Sequence, residues 1–204
     1  MIEKELYAYI FEYENETPYL EYKESVCWEE KNKREEIIQT ILGMSNIRDG
    51  GVIVIGVKEV NTTAGKRYVR EGMLEDHYES FNEDRMRDAV RNYAEPFATF
   101  DIVKKVCNNK KFVVVAVKEF DEVPVICKKT GTSNNLKEGQ IYIRPKSGVV
   151  STRKIQTYPE MKEIIELAAF KQIRKYQQVI ATTVNIRKRS KQQYDEQLGA
   201  DLLD

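Results

Sequence analysis

Asp49-Gly50-Gly51-Val52-Ile53-Val54-Ile55-Gly56-Val57-Lys58-Glu59 is the stretch whose reading decides the fold. Two glycines make a turn that feeds a β-branched run with no polar position, the pattern of a strand covered on both faces. Gly50 and Gly51 supply backbone with positive φ, and Gly56 admits a close neighbour. That accounts for all three, and none is given a catalytic role.

Upstream, Ile37, Ile38, Ile41 and Leu42 fall on one stripe at helical spacing, so a helix is expected over roughly 33–46, with Asn46 as its cap. Before it, Leu20-Glu21-Tyr22-Lys23 alternates apolar and charged side chains. A strand there turns Leu20 and Tyr22 to the core and places Glu21 with Lys23 on the other face. Residues 3–13 fit either period and are assigned to a helix.

Downstream, 61–81 reads as a long polar loop with room for a short hairpin. Asn82 then caps a helix carrying Met86, Ala89, Val90 and Tyr93 that ends at Pro96. Strands follow at 112–117, at 123–127, where Pro124 marks an edge, and at 140–144. Thr157-Tyr158-Pro159-Glu160 has capping-box form and opens a helix with Met161, Ile164, Ile165, Ala168 and Ile173 on one face. The predicted class is α+β (mixed α/β), a central mixed β-sheet with flanking helices and a C-terminal helix. The domain is expected over 1–178, followed by a polar tail over 179–204, first basic and then acidic, that is mobile or bound by a partner.

At 204 residues, one domain is the natural reading, and no stretch approaches the ~18 apolar residues of a membrane span. The N-terminus lacks the pattern of a signal peptide, so a cytoplasmic protein without a membrane partner is expected. Cys27, Cys107 and Cys127 are too few and too scattered for a disulfide framework or a CxxC zinc site. His77 is the sole histidine, which removes His-rich metal sites and any triad that does not use that ring. Chemistry therefore rests on carboxylates, lysines and arginines. The 33 basic and 33 acidic residues cancel, but unevenly: residues 1–36 hold eleven acids to five bases, and Lys171 to Lys191 hold seven bases and no acid. An acidic centre with a basic rim and ordinary solvated faces explain that asymmetry equally well.

Glu16 lies five residues before Glu21, and Glu21 is followed by Lys23, giving E-x4-E-x-K; Glu59 stands just past the buried run. Carboxylates around one point offer Mg²⁺ or Mn²⁺ the hard oxygen ligands they prefer, and a lysine beside them stabilises charge on a transferring phosphoryl group. In a chain this rich in acids the spacing alone is weak.

The ordered set is more specific. Tyr19-Leu20-Glu21-Tyr22-Lys23-Glu24-Ser25, Ile41-Leu42-Gly43-Met44-Ser45-Asn46 and Asp49 to Glu59 resemble the Schlafen AlbA_2 domain family. The family pattern is roughly an E-F-K-x-S strand, a helix ending in A-x-A-N, and G-G-x-[LIV]-x-[LIV]-G-[LIV]-x-[DE]. Pro124-Val125 and Tyr142-Ile143-Arg144-Pro145-Lys146-Ser147-Gly148 look like its later segments, so the likeness spans 16 to about 170.

The resemblance implies an AlbA_2-type fold. Domains of this family in animal Schlafens cleave tRNA and rRNA with three acidic residues, and the match puts these at Glu16, Glu21 and Glu59, with glutamate at the last where those nucleases carry aspartate. It implies a metal site of Glu16, Glu21 and Glu59 holding Mg²⁺ or Mn²⁺, with Lys23 assisting catalysis. It also puts Arg144, Lys146, Arg153 and Lys154 beside the family's nucleic-acid groove, where basic side chains bind phosphate without reading sequence. An ordinary exposed basic loop is the competing account of those four. Lys66, Arg67 and Arg70 form a weaker candidate rim.

The expected activity is metal-dependent endoribonucleolytic cleavage of structured, tRNA-like RNA, in a free-standing defence or toxin effector. Because animal Schlafens pair two lobes around RNA, a single lobe is expected to form a homodimer. The alternative is a noncatalytic nucleic-acid- or nucleotide-binding module that regulates a protein partner through its C-terminal segment. A third reading is an assembly subunit with solvated carboxylates.

Overall fold

The computed structural model describes residues 3–63, 65–146 and 150–201, with side chains described over 5–63, 65–146 and 150–183. The first half runs α1 (Glu3–Phe11), β1 (Leu20–Lys23), α2 (Lys31–Ser45), β2 (Gly51–Ile55), β3 (Val57–Thr62), β4 (Gly65–Arg70), α3 (Glu75–Ser80) and α4 (Glu83–Arg91). The second runs β5 (Ala94–Glu95), β6 (Phe100–Cys107), β7 (Lys110–Val117), β8 (Ile126–Cys127), β9 (Tyr142–Ile143), β10 (Arg153–Lys154) and α5 (Tyr158–Asp201). This is the expected α+β class.

The central sheet has the order β1-β2-β7-β6 and is mixed. β1 runs parallel to β2, with Glu21 opposite Ile53, whereas β2–β7 and β7–β6 are antiparallel. The period of two sorts the side chains. Leu20, Tyr22, Val52, Val54, Phe112 and Val114 pack with Leu6 and Ile10 of α1 and with Tyr68. The opposite face, which carries Ile53, Ile55, Val113 and Val115, is also buried, and α2 buries Ile37, Ile38, Ile41 and Leu42. Glu21 lies on this second face and is itself buried, so alternation in β1 does not mean one wet side.

Gly56 ends β2 with φ 110°. A Cβ there would meet Phe112 Cδ1 at 2.9 Å and the Lys111 carbonyl at 3.1 Å. The expected run to Val57 is thereby split, and the chain swings into a β3–β4 hairpin where a loop over 61–81 is predicted. β6 is a second element missing from the prediction. Lys104 and Lys105 interrupt its apolar pattern because it is the sheet's other edge. Asn82 caps α4, its Oδ1 accepting from Arg85 N at 3.1 Å, though the helix stops at Arg91, short of Pro96. Glu160 accepts from Thr157 N at 3.1 Å, the back-reaching half of the capping box.

Asn46 is the C-cap of α2 and a clamp. Its amide donates to the carbonyls of Val125 at 2.8 Å and Tyr142 at 2.9 Å, and its oxygen accepts from Val125 N at 2.7 Å. The three cysteines are free thiols.

By contacts the chain divides into two compact units, residues 1–164 and 165–204. In the second, the helix continues to Asp201 where no sustained period is read in the sequence after 181, and Ile165, Ile173, Tyr176 and Ile180 are exposed. Residues 202–204 of the expected tail, and the side chains of Arg187, Lys188, Arg189 and Lys191, lie outside the described residues, as do Ser147 and Gly148. No described helix is long and apolar enough to cross a membrane.

Glu35 of α2 holds the loop between β8 and β9. Its Oε1 accepts from the amide and hydroxyl of Thr132, both at 2.8 Å, and its Oε2 from the amide of Ser133 at 2.9 Å and from the Ser133 hydroxyl. Burial pushes this carboxyl up, but those four donors outweigh it and bring it down from 4.5 to about 2. A depressed folded-state value contributes stability that is whole above about 4.5 and is lost as pH falls through about 2. Glu35→Gln is expected to lose about 2 kcal/mol at neutral pH and to flatten the acid limb of stability against pH, measured by urea denaturation across that window. An unchanged acid limb would remove Glu35 as its source.

Candidate active site

β1 is a sheet edge, so the outward amide of Tyr22 has no strand to bond. Glu16, in the turn before β1, fills that place: its Oε1 accepts from Tyr22 N at 2.9 Å. One position back from Tyr22, Glu21 points to the α2 face, where Lys23 Nζ lies 2.6 Å from Oε1 and the Arg144 guanidinium holds Oε2. Glu59 comes from β3, directly across from Tyr68 of β4, and is exposed. Its Oε2 accepts from Lys66 Nζ at 2.9 Å, with the Tyr68 hydroxyl at 3.5 Å.

The three glutamates share one electrostatic neighbourhood. Burial raises the pKa of Glu16, and the charge of Glu21 raises it further, against the Tyr22 amide, Arg144 and Lys23, which lower it. The phenol of Tyr68 is driven well above its ordinary range, first by burial and then by Glu16 and Glu59. Lys66 is held up mainly by its hydrogen bond to Glu59, with Glu16 and Glu21 adding to it. Yet among the described residues no three acidic, histidine or cysteine side chains stand close enough to hold an ion together. Glu16, Glu21 and Glu59 are neighbours through Tyr68 and Lys66 rather than a converged triad.

The predicted basic rim needs correction. Arg144 is 1 % exposed and cannot meet a phosphate. Its Nε donates to the Pro18 carbonyl at 2.9 Å, and its terminal nitrogens to the carbonyls of Thr17 at 2.9 Å and Leu20 at 3.3 Å, to Thr152 Oγ1 at 3.4 Å and to Glu21. It is an internal strut, because a guanidinium with its whole fork satisfied can be buried. Lys146 pairs with Glu163, and Arg153 is half-buried in a forked pair with Glu160. Lys154 is exposed. In the weaker rim, Arg70 is spent on the C-terminal end of α1 and the chain just past it, donating to the carbonyls of Ile10 at 2.9 Å and of Tyr13. Lys66 is committed to Glu59, and Arg67 is exposed.

Tyr68 is the site residue that the sequence reading misses. Its signal is the strand-favouring pair Tyr68-Val69 set between basic residues, in a strand that pairs with Val57 to Asn61.

The Schlafen, AlbA_2 family model matches residues 16–153, from the first glutamate of this cluster to the start of β10. The chain belongs to the Schlafen AlbA_2 family. Membership points to a nucleic-acid-related function. No curated protein matches the chain. Among solved structures, it is similar to the DIP2311 protein of Corynebacterium diphtheriae at 14% identity and a TM-score of 0.44, over 71% of this chain. It spans 23% of that protein's length. It is also similar to the N-terminal domain of an ATP-dependent DNA helicase RecG-related protein of Nitrosomonas europaea, at 18% identity and a TM-score of 0.42, over 71% of this chain and 88% of that one.

In this Schlafen AlbA_2 domain the Arg144–Glu21 pair is internal, and breaking one side strands a buried charge. Arg144→Met is expected to cost about 3–5 kcal/mol in urea denaturation, far above the value of a surface pair. A loss under about 1 kcal/mol would return Arg144 to the surface-rim role.

Proposed function

We propose that this domain is a divalent-metal-dependent endoribonuclease acting on structured RNA such as tRNA. The observation that carries the proposal is the Glu16–Glu21 pair: two neighbouring carboxylates at the edge of β1, of which Glu16 accepts from the Tyr22 amide and has its pKa raised first by burial and then by the charge of Glu21. The donor chemistry fits Mg²⁺ or Mn²⁺, since the carboxylates are hard oxygen donors whose mutual repulsion a cation relieves. Glu16 and Glu21 would hold the ion, and Glu59 would join by giving up Lys66. Bound there, the ion would polarise a phosphodiester and activate water.

The chain's own residues do the rest. Lys23, already held against Glu21, presents an ammonium to charge developing on the phosphoryl oxygens. Lys66, when Glu59 releases it, is a second cation at the rim. A second copy of the domain completes the cradle for a folded RNA, and the segment after residue 178 is open to a protein partner. One observation favours the noncatalytic binding module instead: both oxygens of Glu21 are already engaged by cations, as in a structural ion pair.

Glu21 variants confound folding with chemistry through Arg144, so the deciding variants are Glu16→Gln and Glu59→Gln. Purified protein incubated with total tRNA in Mn²⁺, in Mg²⁺ or in EDTA is expected to give fragments that need metal and that fall at least tenfold in either variant. Intact tRNA in every lane, with folded protein, would leave the binding module. Glu16 must be ionised to hold a cation, and its folded-state pKa lies above the ordinary 4.5. At subsaturating metal, cleavage should therefore rise with pH as Glu16 ionises, and the metal concentration needed for half-maximal rate should increase as pH falls, in pH–rate profiles at several metal concentrations.

A further inference from the structure

Beside the carboxylates lies a cavity of about 250 Å³ that the site as described leaves unused. Lys23 of β1 and Glu59 of β3 line it, α2 contributes Lys33 and Glu36, and the buried Val26 and Ile37 give it apolar surface. Lys33 stands out among these residues. Its one ion pair among the described residues is with Glu36 at 3.8 Å, too long for a hydrogen bond, and both side chains are 38% exposed. Lys23, by contrast, is committed at 2.6 Å to Glu21.

We infer that this cavity is a phosphate subsite of the same centre, with Lys33 as its phosphate-binding residue. The inference rests on the nuclease reading above and says where the RNA backbone enters. Charge narrows the occupant. Lys23 and Lys33 supply two cations, but Glu24, Glu36 and Glu59 supply three anions, so a bare phosphate meets net repulsion. A phosphodiester that arrives with a divalent cation meets none: its oxygens face the lysines while the cation faces the carboxylates. The volume admits one sugar-phosphate unit, and the opening lets a backbone phosphate enter without its base. The ligand class is therefore the phosphodiester backbone of a structured RNA that arrives with a divalent cation.

Lys33→Ala separates this from a solvated helix residue. The loose pair with Glu36 contributes little to folding, so thermal stability should not change. Binding of tRNA in Ca²⁺, followed by anisotropy through a salt titration, should weaken about tenfold, as loss of a charge-assisted phosphate contact does. The slope of log K against log salt should fall by about 0.7–0.9, the value of one phosphate contact. Lys33→Arg should restore both. In Mn²⁺, the variant's KM should rise with kcat nearly kept. Wild-type affinity and slope in Lys33→Ala, with wild-type protein binding and cleaving tRNA, would overturn the subsite alone. Failure of wild-type protein to bind or cleave tRNA in any metal would overturn the nuclease reading and the subsite with it.

Discussion

One buried guanidinium determines how the carboxylate edge of this domain is shaped. Arg144 reaches from the segment after β9 to the turn before β1, bonds the carbonyls of Thr17, Pro18 and Leu20, and holds Glu21. Thr17 and Leu20 also exchange backbone hydrogen bonds at 3.1 Å, so Arg144 adds a second donor to their carbonyls and supplies one to the Pro18 carbonyl, whose loss would cost about 1–3 kcal/mol. With them satisfied, the turn is fixed, and Glu16 is fixed where it accepts from Tyr22. Arg144 thus connects a late segment to an early one and positions both glutamates of the E-x4-E spacing. Lysine could not replace it, because a single ammonium lacks the fork that serves several acceptors at once.

Glu59 arrives by a different constraint. β2 must end where Phe112 of β7 closes over it, and only a residue without Cβ fits at Gly56 with φ 110°. The turn redirects β3 so that Glu59 and Tyr68 are cross-strand partners, with the Tyr68 ring tilted on Tyr22 at 5.1 Å. The third carboxylate is therefore carried on a hairpin with fewer buried contacts than the sheet. It is also the one whose partner, Lys66, is exposed.

What the sequence revealed follows from how local each determinant is. The buried strand after Gly51, the apolar stripe of α2 and the alternation of β1 are periodic within a few residues, and all three stand where expected. β6 was hidden because an edge strand tolerates Lys104 and Lys105, and the β3–β4 hairpin because its polar residues mimic a loop. Arg144 was misjudged for a different reason. In sequence it sits among Lys146, Arg153 and Lys154 and reads as part of a basic rim. Only the long-range contact with Glu21 shows it to be interior. The family likeness points to Glu16, Glu21 and Glu59 but carries nothing about their partners, because the pairing of Glu59 with Lys66 depends on hairpin register.

The electrostatics of the site are those of a centre nearly neutralised by its own side chains, with one exception. Glu21 has Lys23 and Arg144, and Glu59 has Lys66, whereas Glu16 has no ion pair among the described residues: burial and the charge of Glu21 raise its pKa against the Tyr22 amide and the charges of Arg144 and Lys23. In the proposed reading, a cation arriving at the edge of β1 would relieve the repulsion from Glu21 and so would bind the ionised form of Glu16 in preference to the protonated one. Such binding would release protons as Glu16 gives up its own, a linkage that holds whatever reaction follows. The lysines impose the complementary condition. With a cation on the carboxylates, Lys23 and Lys66 would no longer be needed to balance them and would be free to face an anion. Cation and phosphate would therefore bind cooperatively, each removing the charge that opposes the other, through side chains that already lie within reach.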